Sequence, residues 1–131
     1  MRYLLDTGVW LWSLIDAGRI NPGARQLFAG GREELYLSAA SSWEISIKYS
    51  LGKLRLPLPP TRLIPQALAA QGIQSLPITH THALWVSDLP LHHRDPFDRL
   101  LIAQAQSEGM AILTADRSFE RYSVDLFWCG L

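Results

Sequence analysis

Short apolar runs alternate along this chain with stretches of helical length, and that alternation restricts the fold more than any other feature of the sequence. Tyr3-Leu4-Leu5 ends at Asp6 and leads into the apolar stretch from Val9 to Ile15, which reads as strand, turn, helix. Residues 21–29 read as a second helix, with Asn21 as cap, Pro22 as first residue and Gly30-Gly31 as terminator. Leu35-Tyr36-Leu37 is a second short strand. Ser41 to Leu51, with Trp43, Ile47 and Leu51 at helical spacing before Gly52, is a third helix. Pro57, Pro59, Pro60 and Pro65 make the segment Leu56 to Pro65 an extended surface connection, giving way to a helix around Ile64–Gln71. A strand within Ile73–Ile78 and a short helix at 80–88 follow, then a turn-rich approach through Leu89-Pro90-Leu91-His92-His93-Arg94. Residues 96–108 form the clearest helix, with Asp95 as N-cap, Pro96 in first position, Phe97, Leu101 and Ala105 on one face and Gly109 after its end. Ala111-Ile112-Leu113 is the strand after it, ending at Thr114-Ala115-Asp116. Strands alternating with helices predict an α/β domain whose parallel sheet is covered on both faces.

Length and charge narrow the function. A chain of 131 residues with 48% apolar and 18% charged side chains is expected to be one globular domain, spanning 1–131, with no need of a disulfide or structural zinc. Twelve cations balance twelve acids, which argues against binding nucleic acid or membrane through bulk positive charge. Lys48 and Lys53 are the only lysines, and the arginine bias suits forked contacts to phosphate. The single cysteine, Cys129, points to a reducing, cytoplasmic setting. Asp6 interrupts the apolar N-terminal stretch, so it reads as fold rather than signal peptide. No apolar run approaches the roughly 18 residues a membrane span requires.

Four acids share one address in this layout. Asp6 follows the first strand, Glu44 opens the third helix, Asp98 lies in the first turn of the 96–108 helix and Asp116 follows the last strand. In an open parallel sheet, strand C-termini and the N-termini of the helices after them lie along one edge, where ligands bind. Each acid has a plain structural explanation, because carboxylates favour helix N-termini. Ser41-Ser42-Trp43-Glu44 has the form of a capping box, and Glu44 stands four residues before Lys48 as an ion-pair partner. Asp98 follows the Asp95 cap, and Asp6 and Asp116 are each placed to cap the element after them.

Capping does not explain convergence, since carboxylates within about 4–6 Å repel and raise each other's pKa. A cation removes that objection. Oxygen donors with no cysteine or histidine at the same positions favour Mg²⁺ or Mn²⁺ over zinc. A metal so held activates water and neutralises phosphate charge, which is metal-assisted hydrolysis of a phosphodiester.

The residues around these acids carry a resemblance. Leu4-Leu5-Asp6-Thr7, Ser38-Ala39-Ala40-Ser41-Ser42-Trp43-Glu44-Ile45, the stretch from His93-Arg94-Asp95-Pro96-Phe97-Asp98-Arg99 to Ala105, and Leu113-Thr114-Ala115-Asp116 closely resemble PIN-domain ribonucleases of the VapC toxin type, in the expected order. Asp-Pro-Phe-Asp-Arg with the Ile-Ala-Gln-Ala helix is the specific part. The resemblance implies a three-layer sandwich with a parallel sheet of about five strands, and a Mg²⁺- or Mn²⁺-dependent endoribonuclease. It implies that Asp6, Asp98 and Asp116 hold the metal and that Glu44 positions or deprotonates the attacking water. Thr114 would support this shell through its hydroxyl, and Asp95 would be a cap or an outer acid. It also implies RNA as substrate, a VapB-like antitoxin as partner, a homodimer with a basic rim, and no membrane. Similar proteins read Asp-Thr-His at the start, where this chain has Gly8.

Other residues and readings are weighed beside this one. His80, His82, His92 and His93 read as solvated loop histidines rather than a zinc site. His93, Arg94 and Arg99 flank the expected cleft as candidate RNA phosphate contacts. Trp10, Trp12, Trp43, Trp85 and Trp128 are expected mostly in the core. A phosphorylated receiver domain would want paired acids after the first strand and a late lysine, and no lysine follows Lys53. A haloacid-dehalogenase-like phosphatase would want a second Asp where Gly8 stands. The remaining rival is a catalytically silent PIN-like module that binds RNA or protein.

Overall fold

The computed structural model describes residues 1–131. Five strands, β1 (Arg2–Leu5), β2 (Glu34–Ser38), β3 (Gln74–Leu76), β4 (Ala111–Thr114) and β5 (Leu126–Trp128), form one sheet in the order β3-β2-β1-β4-β5. All four pairings are parallel. Helices α1 (Thr7–Ile15), α2 (Pro22–Gly30), α3 (Ala39–Ser50), α4 (Pro60–Gln71), α5 (His80–Trp85) and α6 (Pro96–Glu108) connect them, with short 3₁₀ turns at Ala17–Arg19, Val86–Asp88 and Arg117–Arg121.

The period of two along each strand sorts the core into two layers. Tyr3 and Leu5 of β1, Leu35 and Leu37 of β2, and Ala111 and Leu113 of β4 join Val9, Trp10, Ala24, Ile45, Ile64 and Ala67 on one face. Leu4 and Ile112 point the other way and pack with Leu101, Ile102, Ala105, Met110 and Phe119. Register keeps each set together, because Leu4 lies opposite both Tyr36 and Ile112. The result is the expected α/β three-layer sandwich. Truncating a fully buried residue such as Leu101 in these layers would cost about 2–5 kcal/mol.

Local signals set most of the boundaries. Asn21 Oδ1 accepts from the Ala24 amide at 2.9 Å and opens α2, and Gly31, at φ 63°, closes it. Asp95 Oδ1 accepts from the amides of Phe97 and Asp98 at 2.9 and 3.1 Å, and α6 runs from Pro96 to Glu108 as the caps require.

Four expectations are corrected. First, α3 starts at Ala39 and its cap is Ser38, whose hydroxyl accepts from Ala40 N at 2.9 Å and donates to Gln104 Oε1 at 2.5 Å. Ser41 is already helical, so it forms no capping box with Glu44; it accepts instead from Thr7 Oγ1 at 2.8 Å, tying α3 to α1. Second, α4 begins at Pro60, and Pro65 lies inside it rather than ending an extended connection. Pro60 at the first position loses no hydrogen bond, and Pro65 and Thr61 are both exposed, so the carbonyl deprived of its donor faces water. Third, the tryptophans are not mostly core. Only Trp10 is enclosed, with its indole N–H on Gln71 Oε1 at 2.9 Å. Trp12 and Trp128 are half-buried beneath Arg19 and Arg117, and Trp43 and Trp85 are exposed. Fourth, His82 is not a solvated loop residue. It is fully buried, its Nδ1 accepts from Thr79 N while Thr79 Oγ1 accepts from His82 N, and its Nε2 lies 2.8 Å from Glu108 Oε1.

β5 shows no periodic signal of its own, being three half-buried residues paired to β4. Cys129 beyond it is buried, and that burial, with the nearby charge of Asp6, pushes its thiol up to about 12. No helix is long and apolar enough to cross a membrane.

Candidate active site

Strand order decides where a ligand can enter. The chain leaves β1 toward β2 and later returns to β4 on the opposite side, so the crevice beyond the carboxyl ends of β1 and β4 is the topological switch point of the sheet. Asp6 is the first residue past β1, and Asp116 stands two residues past β4. A cleft of about 490 Å³ opens there, lined by Asp6, Glu44, Asp95, Asp98 and Asp116, by Lys48 and Lys53, and by the apolar side chains of Leu11, Trp12, Leu54 and Ala115. Five acids from four segments of the chain thus face one space.

The plain explanations for these acids divide when tested against the geometry. Asp6 occupies the N-cap position of α1, yet its carboxylate accepts no α1 amide; Oδ2 accepts instead from Thr114 Oγ1 at 2.8 Å. Thr114 Oγ1 in turn accepts from Asp116 N at 3.0 Å, so one hydroxyl links the ends of β1 and β4. Glu44 lies beyond the first turn of α3 and is buried. Its Oε2 accepts from Lys48 Nζ at 2.7 Å, whereas Oε1 is buried with no partner. Asp116 does cap, accepting from Ser118 N at 2.9 Å. Asp98 has its amide on the Asp95 cap and its Oδ2 2.7 Å from His93 Nε2.

Electrostatics register the crowding. Burial raises the Asp6 carboxyl to about 7, with Asp98, Asp116 and Glu44 adding to the rise and the Thr114 hydrogen bond opposing it. Burial also raises Asp98 to about 6, opposed by the hydrogen bond from His93 and assisted by Asp95 and Glu44. Lys48 is raised first of all by its hydrogen bond to Glu44.

A divalent ion fits this donor set. Glu44 Oε1 is a buried oxygen without a donor, Asp6 is pushed up by burial and further by three neighbouring acids, and the ligand atoms of His93, Asp98 and Asp116 lie within 4.8 Å of one another.

Several residues stand differently from their sequence reading. His93 was expected to point toward RNA phosphates, but its ring turns onto Asp98, so the donors near the acids are not all oxygen. Its position five residues before Asp98 in His-Arg-Asp-Pro-Phe-Asp was the available signal. Arg99 is directed away from that role: its guanidinium donates to Pro90 O, Tyr122 Oη and Val86 O at 2.9, 3.2 and 3.2 Å. Arg94 is exposed and does not line the cleft. Lys53, which the sequence did not single out, does. Asp95 both caps α6 and lines the cleft. Gly8 also lines it, with nothing within 4 Å of where a Cβ would stand.

A doubly wound parallel sheet with carboxylates converging at its switch point defines a class, the α/β domains with an acidic cleft suited to a divalent cation. Within that class the chain belongs to the PIN domain family, whose profile matches residues 3–125. A stretch of 51 residues is 43% identical to Ribonuclease VapC16 of Mycobacterium tuberculosis, covering 39% of this chain and 36% of that relative. The match therefore spans little more than a third of the curated relative's length. Among solved structures, the fold resembles VapBC2 from Rickettsia felis bound to a promoter DNA fragment, with TM-score 0.74, 14% identity and 98% of this chain and 99% of the other covered. It also resembles DNA-bound VapBC from Salmonella typhimurium, with TM-score 0.71, 17% identity and 98% of each chain covered. At these identities the likeness is one of fold.

Proposed function

We propose that this chain is a Mg²⁺- or Mn²⁺-dependent endoribonuclease, the VapC-like toxin of a toxin–antitoxin pair, acting on RNA in the cytoplasm. The observation that carries this reading is the convergence of Asp6, Glu44, Asp98 and Asp116 on one cleft, with a buried Glu44 oxygen that nothing else satisfies. Family membership and the ribonuclease name of the partial relative support the nuclease activity. The VapBC titles of the structural neighbours support a VapB-like antitoxin as partner. A homodimer is the assembly that the resemblance implies.

The residues divide the work by position. Asp6, Asp98 and Asp116 would hold the ion; Thr114 orients Asp6 through the 2.8 Å hydrogen bond. Bound there, a divalent ion lowers the pKa of water and offsets charge on the attacked phosphate. Glu44 accepts the proton of the attacking water at Oε1, the oxygen that Lys48 leaves free. Asp95 holds the α6 N-terminus, and with it Asp98, in place. Lys53 stands on the cleft where it can meet an RNA phosphate.

The test is nuclease-free protein with labelled RNA and Mg²⁺ or Mn²⁺, against a chelator and against Asp98→Asn. Cleavage is expected only for the wild type with metal. Cutting that persists in a folded Asp98→Asn variant rejects the assigned site, and RNA or protein bound but never cut supports the silent module instead.

A further inference from the structure

The donor set differs from an all-carboxylate site in one atom, His93 Nε2. It lies 2.7 Å from Asp98 Oδ2, and with Asp98 and Asp116 it forms the group of ligand atoms gathered within 4.8 Å. Adjacent ligands of an octahedral ion with bonds of about 2.1 Å stand about 3 Å apart and opposite ones about 4.2 Å. The spacing of these atoms is therefore close to what three ligands of one ion need. The 2.7 Å contact between imidazole and carboxylate marks the edge that one ion would share.

His93 is also held in position from behind. Its backbone N–H donates to Tyr122 Oη at 2.9 Å, and that of His92 donates to the same oxygen at 3.1 Å. Arg99 Nη1 donates to that oxygen at 3.2 Å and to Pro90 O, while Nη2 donates to Val86 O. Tyr122 itself is buried. The turn before α6 is thus fastened to the core, and the His93 ring, only a quarter exposed, is aimed before any ion arrives.

Resting on the metal-dependent reading above, we propose that His93 is a direct ligand of the ion through Nε2, beside Asp98 and Asp116, and that this nitrogen biases the site toward Mn²⁺ over Mg²⁺. Mg²⁺ prefers oxygen donors and sheds water reluctantly, whereas a transition ion gains from imidazole. Asp6, hydrogen-bonded by Thr114, would hold the ion with them, and Glu44 completes the negative surround.

Pulsed electron paramagnetic resonance on the wild-type protein with Mn²⁺ reads this directly, because a ligating imidazole produces nitrogen-14 modulation. The expected result is such modulation in the wild type and its loss in His93→Gln. Calorimetry should show Mn²⁺ affinity falling about 10–100-fold in that variant while Mg²⁺ affinity changes less than about threefold. Should His93→Gln not fold, His93→Asn carries the same readout. Mn²⁺ bound with no nitrogen modulation overturns the role of His93 and leaves the proposed nuclease standing, as does modulation that survives the substitution. A wild-type protein that takes up no Mn²⁺ overturns the metal-dependent reading itself.

Discussion

Thr114 Oγ1 donates to Asp6 Oδ2 at 2.8 Å, and through this contact the ends of two parallel neighbouring strands, 108 residues apart in sequence, set the floor of the acidic cleft. The same hydroxyl accepts the Asp116 amide, so one side chain orients one acid and the backbone of another.

Thr114→Val keeps the shape of a fully buried side chain and removes this bond. Asp6 loses the one interaction that lowers its pKa, and Mn²⁺ affinity should fall about 10–100-fold, with Thr114→Ser restoring most of it. Titration calorimetry on the three proteins checks this; equal affinities would show that the hydroxyl serves only the strand ends.

The pH dependence of stability follows from Asp6 and Asp98. Their folded pKa values, about 7 and about 6, lie above the ordinary 3.8, so between these limits the folded chain binds protons that the unfolded chain releases. Their stabilising contribution is full below about pH 4 and is lost as pH rises through 6 to 7. In chelator, Tm should therefore fall from pH 5 to pH 8. Mn²⁺ should raise Tm more at pH 8 than at pH 5, and Asp6→Asn should flatten the metal-free profile. Scanning calorimetry showing a metal-free Tm that climbs over this range would contradict the assigned crowding.

Lys53 lines the cleft and takes part in none of the ion pairs, unlike Lys48, which is held by Glu44. Lys53→Ala should weaken RNA binding a few-fold and reduce the salt slope by about 0.7, the share of one single-strand phosphate contact, while single-turnover cleavage of saturating RNA keeps its rate. Binding isotherms at several salt concentrations give the answer, and an unchanged slope would place Lys53 outside the RNA path.

Gly8 sits in the first turn of α1 without a positive φ and with open space at its Cβ position. Gly8→Ala should stabilise the protein by about 0.5–1 kcal/mol, or about 2–4 °C in Tm. A lower Tm would mean that the backbone there needs glycine for a reason the packing does not reveal.

Legibility followed the range of the interactions. α6 was readable to the residue because Asp95, Pro96 and Gly109 act within one turn of its ends. α3 was misplaced by two residues at its start because Ser38 and Ser41 are equally good caps locally; what selects Ser38 is its burial at the end of β2 against Gln104. The proline-rich segment gave up four residues to α4 because exposure of Pro65 and Thr61, invisible in sequence, makes the lost hydrogen bond tolerable. His82 reads as a loop residue in the sequence because its buried setting depends on α6 passing beside it.

Sequence alone determined the alternation of strands and helices, most helix ends, and the placing of Asp6, Asp98 and Asp116 at the ends of elements, since capping, periodicity and turn chemistry act over a few residues; Glu44, expected to open α3, lies in its middle because the helix starts at Ala39. Tertiary structure alone decided that Thr114 meets Asp6, that His93 turns onto Asp98, that Arg99 is engaged elsewhere and that a Glu44 oxygen is left buried and unpaired. Those outcomes depend on which strands become neighbours and how α3 and α6 lean over their ends. Such packing of distant segments is settled by the burial of two whole faces of the sheet rather than by any short stretch of chain.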